Sequence, residues 1–143
     1  MRILFLGDVV GVSGCSKLMS SLMSEKKLNE IDFVVVNGEN AAAQGVGLTK
    51  EICQDFFACG VDVITTGNHV WDQKDIMKFI EKEERLLRPK NLFEPAPGKG
   101  FHIYNFKDNI KIGVLNLMGN VFMKKCEDVF QASKKFLNEN KLT

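Results

Sequence analysis

Five side chains suited to holding ions or moving protons follow a glycine that ends a short apolar run. Asp8 follows Gly7, Glu39 and Asn40 follow Gly38, and Asn68 and His69 follow Gly67. Two carboxylates, two amides and one imidazole are hard-to-borderline donors, suited to divalent Mg, Mn, Fe or Zn. Carboxylates from different strands can serve two ions, one carboxylate bridging. Such a pair, about 3.5–4 Å apart, clamps both oxygens of an in-line displacement at phosphorus. Each residue also has a plainer reading. Asp8 can cap a turn, Glu39 and Asn40 can be a solvated loop, Asn68 can be turn chemistry, and His69 can be structural. Repetition of the layout at three strand ends favours the chemical reading.

The elements that must position these residues alternate. Residues 2–7, Phe33 to Val36 and Val61 to Thr66 are apolar and β-branched, as buried strands are. Gly67 stops the third run, and a glycine there opens backbone conformations closed to other residues. A first helix is expected over Cys15 to Leu28, capped by Ser13, with Leu18, Met19, Leu22 and Met23 inward. The loop from Asn37 to Gly47 is too polar at its start and too small in its side chains for core. Thr49 should cap a second helix with Glu51 in its first turn, Ile52, Phe56 and Phe57 inward and Gly60 as its stop. Asp72 and Asp75 should open a third helix, with Ile76, Phe79 and Ile80 inward. It would end over Leu86-Leu87-Arg88, because Pro89 disfavours helix before it. Asn91 to Gly100 is a Pro/Gly loop. Phe101 to Phe106 and Ile110 to Leu117 should pair as a hairpin around Lys107-Asp108-Asn109. Phe130, Phe136 and Leu137 mark a last helix. Trp71 is expected to pack, while Asn116 either binds substrate or finishes a strand. Alternating strands and helices imply an α/β fold with a mainly parallel sheet, and right-handed crossovers put the three polar tips on one edge.

The 143 residues, 45% apolar and 26% charged, suit a single domain over 1–143 with a real core. A net charge of +1 makes no electrostatic case for nucleic acid or a membrane surface. No apolar run approaches the roughly 20 residues of a membrane span. Met1 leads straight into a strand, without the pattern of a secretory signal. Cys15, Cys53, Cys59 and Cys126 form no C-x-x-C pair, and reduced thiols in a cytoplasmic protein are expected.

Gly7-Asp8-Val9-Val10-Gly11, Asn37-Gly38-Glu39-Asn40-Ala41-Ala42 and Thr66-Gly67-Asn68-His69-Val70-Trp71-Asp72 together resemble the YmdB-like branch of the calcineurin-like metallophosphoesterases. Leu87-Arg88-Pro89 with Asn91, and Asn116-Leu117-Met118-Gly119 with Val121-Phe122-Met123, are similar to further stretches of it. The resemblance implies an α/β/β/α sandwich, a centre of two divalent metal ions, and phosphodiesterase activity on small phosphate esters such as 2′,3′-cyclic nucleotides. RNA-derived substrates belong to the same class. It also implies that Asp8 binds one ion, Glu39 bridges both, Asn68 binds the second, and Asn40 is a ligand or phosphate contact. His69 would be the general acid. The family completes its metal shell with later histidines, whereas this sequence has only His69 and His102, and His102 lies within a strand. A chain incomplete at its C-terminus, Asn138 to Thr143, is therefore expected, with weakened metal binding, doubtful turnover and an exposed sheet edge.

Two other classes compete. A non-catalytic phosphate- or nucleotide-binding module is one, although Gly7, Gly11 and Gly14 do not match G-x-G-x-x-G and Asp8 would repel phosphate. An interaction protein whose sheet edge pairs with a partner or second copy is the other.

Overall fold

The β-branched runs become a four-stranded parallel sheet whose strands lie in chain order. The computed structural model describes residues 1–107 and 110–140. Strand β1 is Ile3–Leu6, β2 Phe33–Asn37, β3 Val63–Thr65 and β4 Leu86–Leu87. Helix α1 (Gly11–Leu28) joins β1 to β2, α2 (Lys50–Ala58) joins β2 to β3, and α3 (Ile76–Ile80) precedes β4. Then β5 (Phe101–Asn105) and β6 (Lys111–Leu115) pair antiparallel, and α4 (Val129–Glu139) follows.

Strand alternation divides the core in two. Val34, Val36, Ile64 and Leu86 pack with Cys15, Leu18 and Leu22 of α1, Cys53 and Phe56 of α2, and Ile76 and Ile80 of α3. Phe33, Val35, Val63 and Leu87 point the other way, onto Ile112, Tyr104 and Val114 of the second sheet. Phe101, on the opposite face of β5 from Tyr104, stacks edge-on against Phe136 of α4 at 4.5 Å between centroids. The layers therefore run α/β/β/α. The second sheet leaves β1 bare: Ile3 and Phe5 lie in register with Phe33 and Val35 yet remain 49% and 62% exposed.

Several expectations need correction. Helix α1 starts at Gly11, so Ser13 lies inside it and caps nothing; Val10 is the N-cap and makes no side-chain bond. Its buried face is Gly11, Cys15, Leu18 and Leu22, a stripe of spacing four, three and four, which turns Met19 and Met23 outward. Ala41 and Ala42 are buried despite their size, because the loop folds back on itself through Ala42 N–H to the Gly47 carbonyl. Asp72 does not open a helix. Helix α3 is only five residues long, and Asp75 at its start makes no capping bond within it. Its carboxylate instead accepts the Lys50 amide at the head of α2. Leu86 and Leu87 are a strand rather than a helix end, fully buried and paired with Ile64 and Thr65. Pro89 marks a stop in either case.

Other expectations hold. Thr49 caps α2 through Ile52 N–H at 3.2 Å, and Gly60 follows the helix in the left-handed region at φ 101°. Trp71 packs on the helical core. Phe106 N–H meets the Ile110 carbonyl at 2.7 Å across the hairpin; Asp108 and Asn109 of its turn, and residues 141–143, lie outside the described residues. Among the described residues no helix is long and apolar enough to cross a membrane.

Candidate functional site

Because β1, β2 and β3 are parallel, their C-terminal ends share one edge, and backbone bonds carry the pairing beyond the strands. Val9 N–H reaches the Asn37 carbonyl, Gly11 N–H the Asn40 carbonyl and Gly38 N–H the Thr65 carbonyl. The first two polar tips are joined directly. Asn40 donates its Nδ2–H to Asp8 Oδ1 at 2.7 Å. Asp8 itself sits at φ 43°, a region few non-glycine residues adopt, with Asp among those that tolerate it. That bond orients both groups: Asp8 keeps Oδ2, and Asn40 keeps its carbonyl oxygen, for a further contact.

The second and third tips meet by close approach. Glu39 lies over Gly67 so tightly that a Cβ there would fall 2.1 Å from Oε2 and 2.6 Å from Oε1. Gly67 is absent from the positive-φ residues, so it supplies space rather than backbone freedom. Glu39 Oε2 is buried and finds no hydrogen-bond partner among the described residues. A buried, unpaired carboxylate oxygen is costly, and a cation is the partner that best offsets that cost. The donor set fits such an ion at Glu39. Among the described residues, however, no group of three or more His, Cys, Asp or Glu side chains converges, so a shell drawn from this chain relies on the amides.

Glu39 and Asn68 line a cleft of about 590 Å³ with Asn37, Thr65, Thr66 and Asn116. Asp8, Asn40 and His69 are not in its lining. His69 is held elsewhere: its Nδ1 lies 2.6 Å from Asp72 Oδ2. Asp72, read from the sequence as a helix cap, is thus the partner of His69, and the i, i+3 spacing was the available signal. Loops 37–48 and 68–75 are further tied by Gln73 Nε2–H to the Val46 carbonyl, and Gly47 at φ 82° passes close to Gln73.

The cleft floor is supported by buried amides. Asn116 donates to the Thr66 and Leu87 carbonyls at 2.8 and 2.9 Å, which ties the end of β6 to the parallel sheet. That settles its structural role. Asn91, fully buried, accepts from Met118 N–H and donates to the Met118 and Glu127 carbonyls. Arg88 is buried and spends its guanidinium on Glu94 and on the carbonyls of Pro89, Ala96 and Pro97. His102 stands apart on β5, its Nε2 3.5 Å from Glu84. Cys15, Cys53, Cys59 and Cys126 are all free thiols, and burial raises the Cys53 thiol far above its usual range.

The sequence and the fold have known counterparts. A 2′,3′-cyclic-nucleotide 2′-phosphodiesterase of Bacillus subtilis (strain 168) is 40% identical over 139 residues, which is 97% of this chain and 52% of that protein. A crystal structure of a hypothetical protein from Thermus thermophilus superposes with a TM-score of 0.90 at 35% identity, covering 99% of this chain and 54% of that one. A crystal structure of a novel phosphatase from Mycoplasma pneumoniae also gives 0.90, at 30% identity, covering 99% of this chain and 52% of that one. The chain spans about half the length of the curated relatives it matches. Residues 4–143, which include all three glycine-led polar tips, match the family described as YmdB-like protein, and the chain belongs to that family.

Proposed function

We propose that the cleft is the phosphate site of a metal-dependent phosphodiesterase acting on small phosphodiesters of the 2′,3′-cyclic nucleotide kind. The observation that carries this reading is the buried, unpartnered Oε2 of Glu39 beside Asn68 in the cleft. The name of the Bacillus relative supports the substrate class.

In this reading Asp8, Glu39, Asn40 and Asn68 would hold two divalent ions, which when bound would neutralise phosphate charge and acidify the attacking water. The Asn40–Asp8 bond supports this reading, since it leaves Asp8 Oδ2 and the Asn40 carbonyl oxygen free for a cation. Asn68 can also turn its amide N–H groups to a phosphate oxygen. With Nδ1–H given to Asp72, which orients the ring, His69 would need a second proton on Nε2, and it is that proton that it would deliver to the leaving oxygen. Asp72 acts through His69 and is a positioning residue.

A non-catalytic phosphate- or nucleotide-binding module is the second reading. It is favoured by the lack, among the described residues, of a cluster of three or more His, Cys, Asp or Glu. The two separate on one preparation of the full chain. Mn²⁺ binding is followed by electron paramagnetic resonance, and 2′,3′-cyclic AMP by phosphorus NMR. The phosphodiesterase reading expects Mn²⁺ binding that Glu39→Gln loses, together with conversion of the cyclic ester to a monophosphate. Cyclic nucleotide bound without Mn²⁺ and without turnover selects the second reading. Neither ligand bound rejects both.

A further inference from the structure

Strand β2 ends on a side chain that the fold itself does not use. Its alternation turns Phe33 and Val35 towards the second sheet, and Asn37 lies on that same face. There it lines the cleft beside Glu39 and Asn68. Its carbonyl takes the Val9 N–H, but its carboxamide has no hydrogen bond among the described residues. Neighbouring amides are already engaged: Asn40 with Asp8, Asn91 with the Met118 and Glu127 carbonyls, Asn116 with those of Thr66 and Leu87. Asparagine is also a poor strand residue, and a further apolar side chain after Phe33-Val34-Val35-Val36 would suit the sheet better.

Two neighbours leave the Asn37 amide accessible. On one side it pairs in register with Thr65, whose hydroxyl reaches only the Val36 carbonyl, at a long 3.5 Å. On the other side, one step beyond the Leu6–Val36 pair, stands Gly7. Apart from its chain neighbours, a Cβ at Gly7 would meet only the Phe5 ring, at 3.8 Å. Across the strands the cleft floor is therefore open space, then a free amide, then a hydroxyl.

Charge sorts what can lie there. Among the described residues the lining holds one carboxylate, Glu39, and no Lys, Arg or His. An anion is drawn only to ions at the strand tips, and a neutral polar group is the better match for Asn37. A carboxamide offers two N–H donors and a carbonyl acceptor. A hydroxyl can use both kinds, whereas an ionised phosphate oxygen uses only the donors.

We propose that Asn37, beside Thr65, is a specificity-determining residue that hydrogen-bonds a hydroxyl on the alcohol portion of a phosphate ester whose phosphate lies at Glu39 and Asn68. This rests on the phosphoesterase reading of the cleft and adds which esters that site prefers: those of hydroxyl-bearing alcohols, as sugars are.

The test compares glycerol 2-phosphate with isopropyl phosphate, the same carbon skeleton without hydroxyls. Each is titrated into the full chain in Mg²⁺ and followed by NMR. Glycerol 2-phosphate should bind about ten-fold more tightly, the effect of one or two hydrogen bonds. It should also move the side-chain amide signals of Asn37, which isopropyl phosphate should leave nearly in place. That readout needs no altered chain. Asn37→Leu, close in size, should bring glycerol 2-phosphate down to the affinity of isopropyl phosphate. Four results would each overturn the assignment and leave the phosphate reading standing: equal affinities in the unaltered chain, Asn37 signals that glycerol 2-phosphate does not move, a preference that survives Asn37→Leu, or a folded Asn37→Leu chain that weakens both esters alike. No binding of either ester would reject the phosphoesterase reading and this inference with it.

Discussion

The carboxylate of Glu39 occupies the volume that any side chain at Gly67 would need, with Oε2 only 2.1 Å from where a Cβ would stand. Gly67→Ala must therefore push Glu39 out of its seat or bend the loop after β3. Overpacking of this kind costs about 1–3 kcal/mol, measurable as a lower urea midpoint. Mn²⁺ binding should fall with it. Glu39→Gln should behave differently. It removes a buried charge whose oxygen has no partner, so in chelator it should be at least as stable as the unaltered chain, while losing any stabilisation by Mn²⁺. If Gly67→Ala bound Mn²⁺ with unchanged affinity, the close approach would have no bearing on the site.

Asp72 fixes the His69 ring through a 2.6 Å contact at Nδ1. An asparagine at 72 keeps the shape but loses the negative charge that favours an N–H on Nδ1. Asp72→Asn should lower kcat on a cyclic nucleotide about ten-fold or more, with KM little changed, as expected for a group that acts only on proton transfer. Nitrogen NMR of His69 should show the tautomer shift directly. A uniform rise in KM at constant kcat would instead place Asp72 in substrate binding.

That the three strand tips share one edge was legible because β-branched runs ended by glycine mark parallel strands, and parallel strands end on one edge. What escaped notice was partnership. Asp72 and Asp75 look like helix openers by residue type, but one is taken by His69 and the other by the head of α2. Leu86–Leu87 is too short to carry a period, so with Pro89 close behind the two leucines read as a helix end although they form a strand. Gly67 was visible as a break, while its reason, the Glu39 carboxylate pressed against it, depends on contacts between distant residues. The same holds for Asn116, whose amide meets carbonyls from two other strand ends.

Acid should weaken this chain through Arg88 and Glu94. The Arg88 guanidinium, with 4% of its side chain exposed, bonds Glu94 at 2.7 Å and holds that carboxyl below the usual range, helped by the Ala96 N–H. A carboxyl depressed in the folded state contributes stability that is fully present above its unfolded value, about 4.3. That contribution fades as pH drops through the lower folded value. Two more carboxyls are depressed. At Glu83 partial burial pulls upward and the bonds from Arg85 outweigh it; at Glu84 Lys99 acts. The whole chain should therefore lose stability in the same direction. Glu94→Gln isolates one pair. Its deficit in urea unfolding should be constant from about pH 5 to pH 7 and shrink steadily towards pH 3, where the unaltered chain has also lost the charge. Arg88 keeps its carbonyl partners at Pro89, Ala96 and Pro97 throughout, so the loop should stay ordered. A deficit that did not change between about pH 6 and pH 3 would mean the ion pair adds nothing beyond those carbonyl bonds.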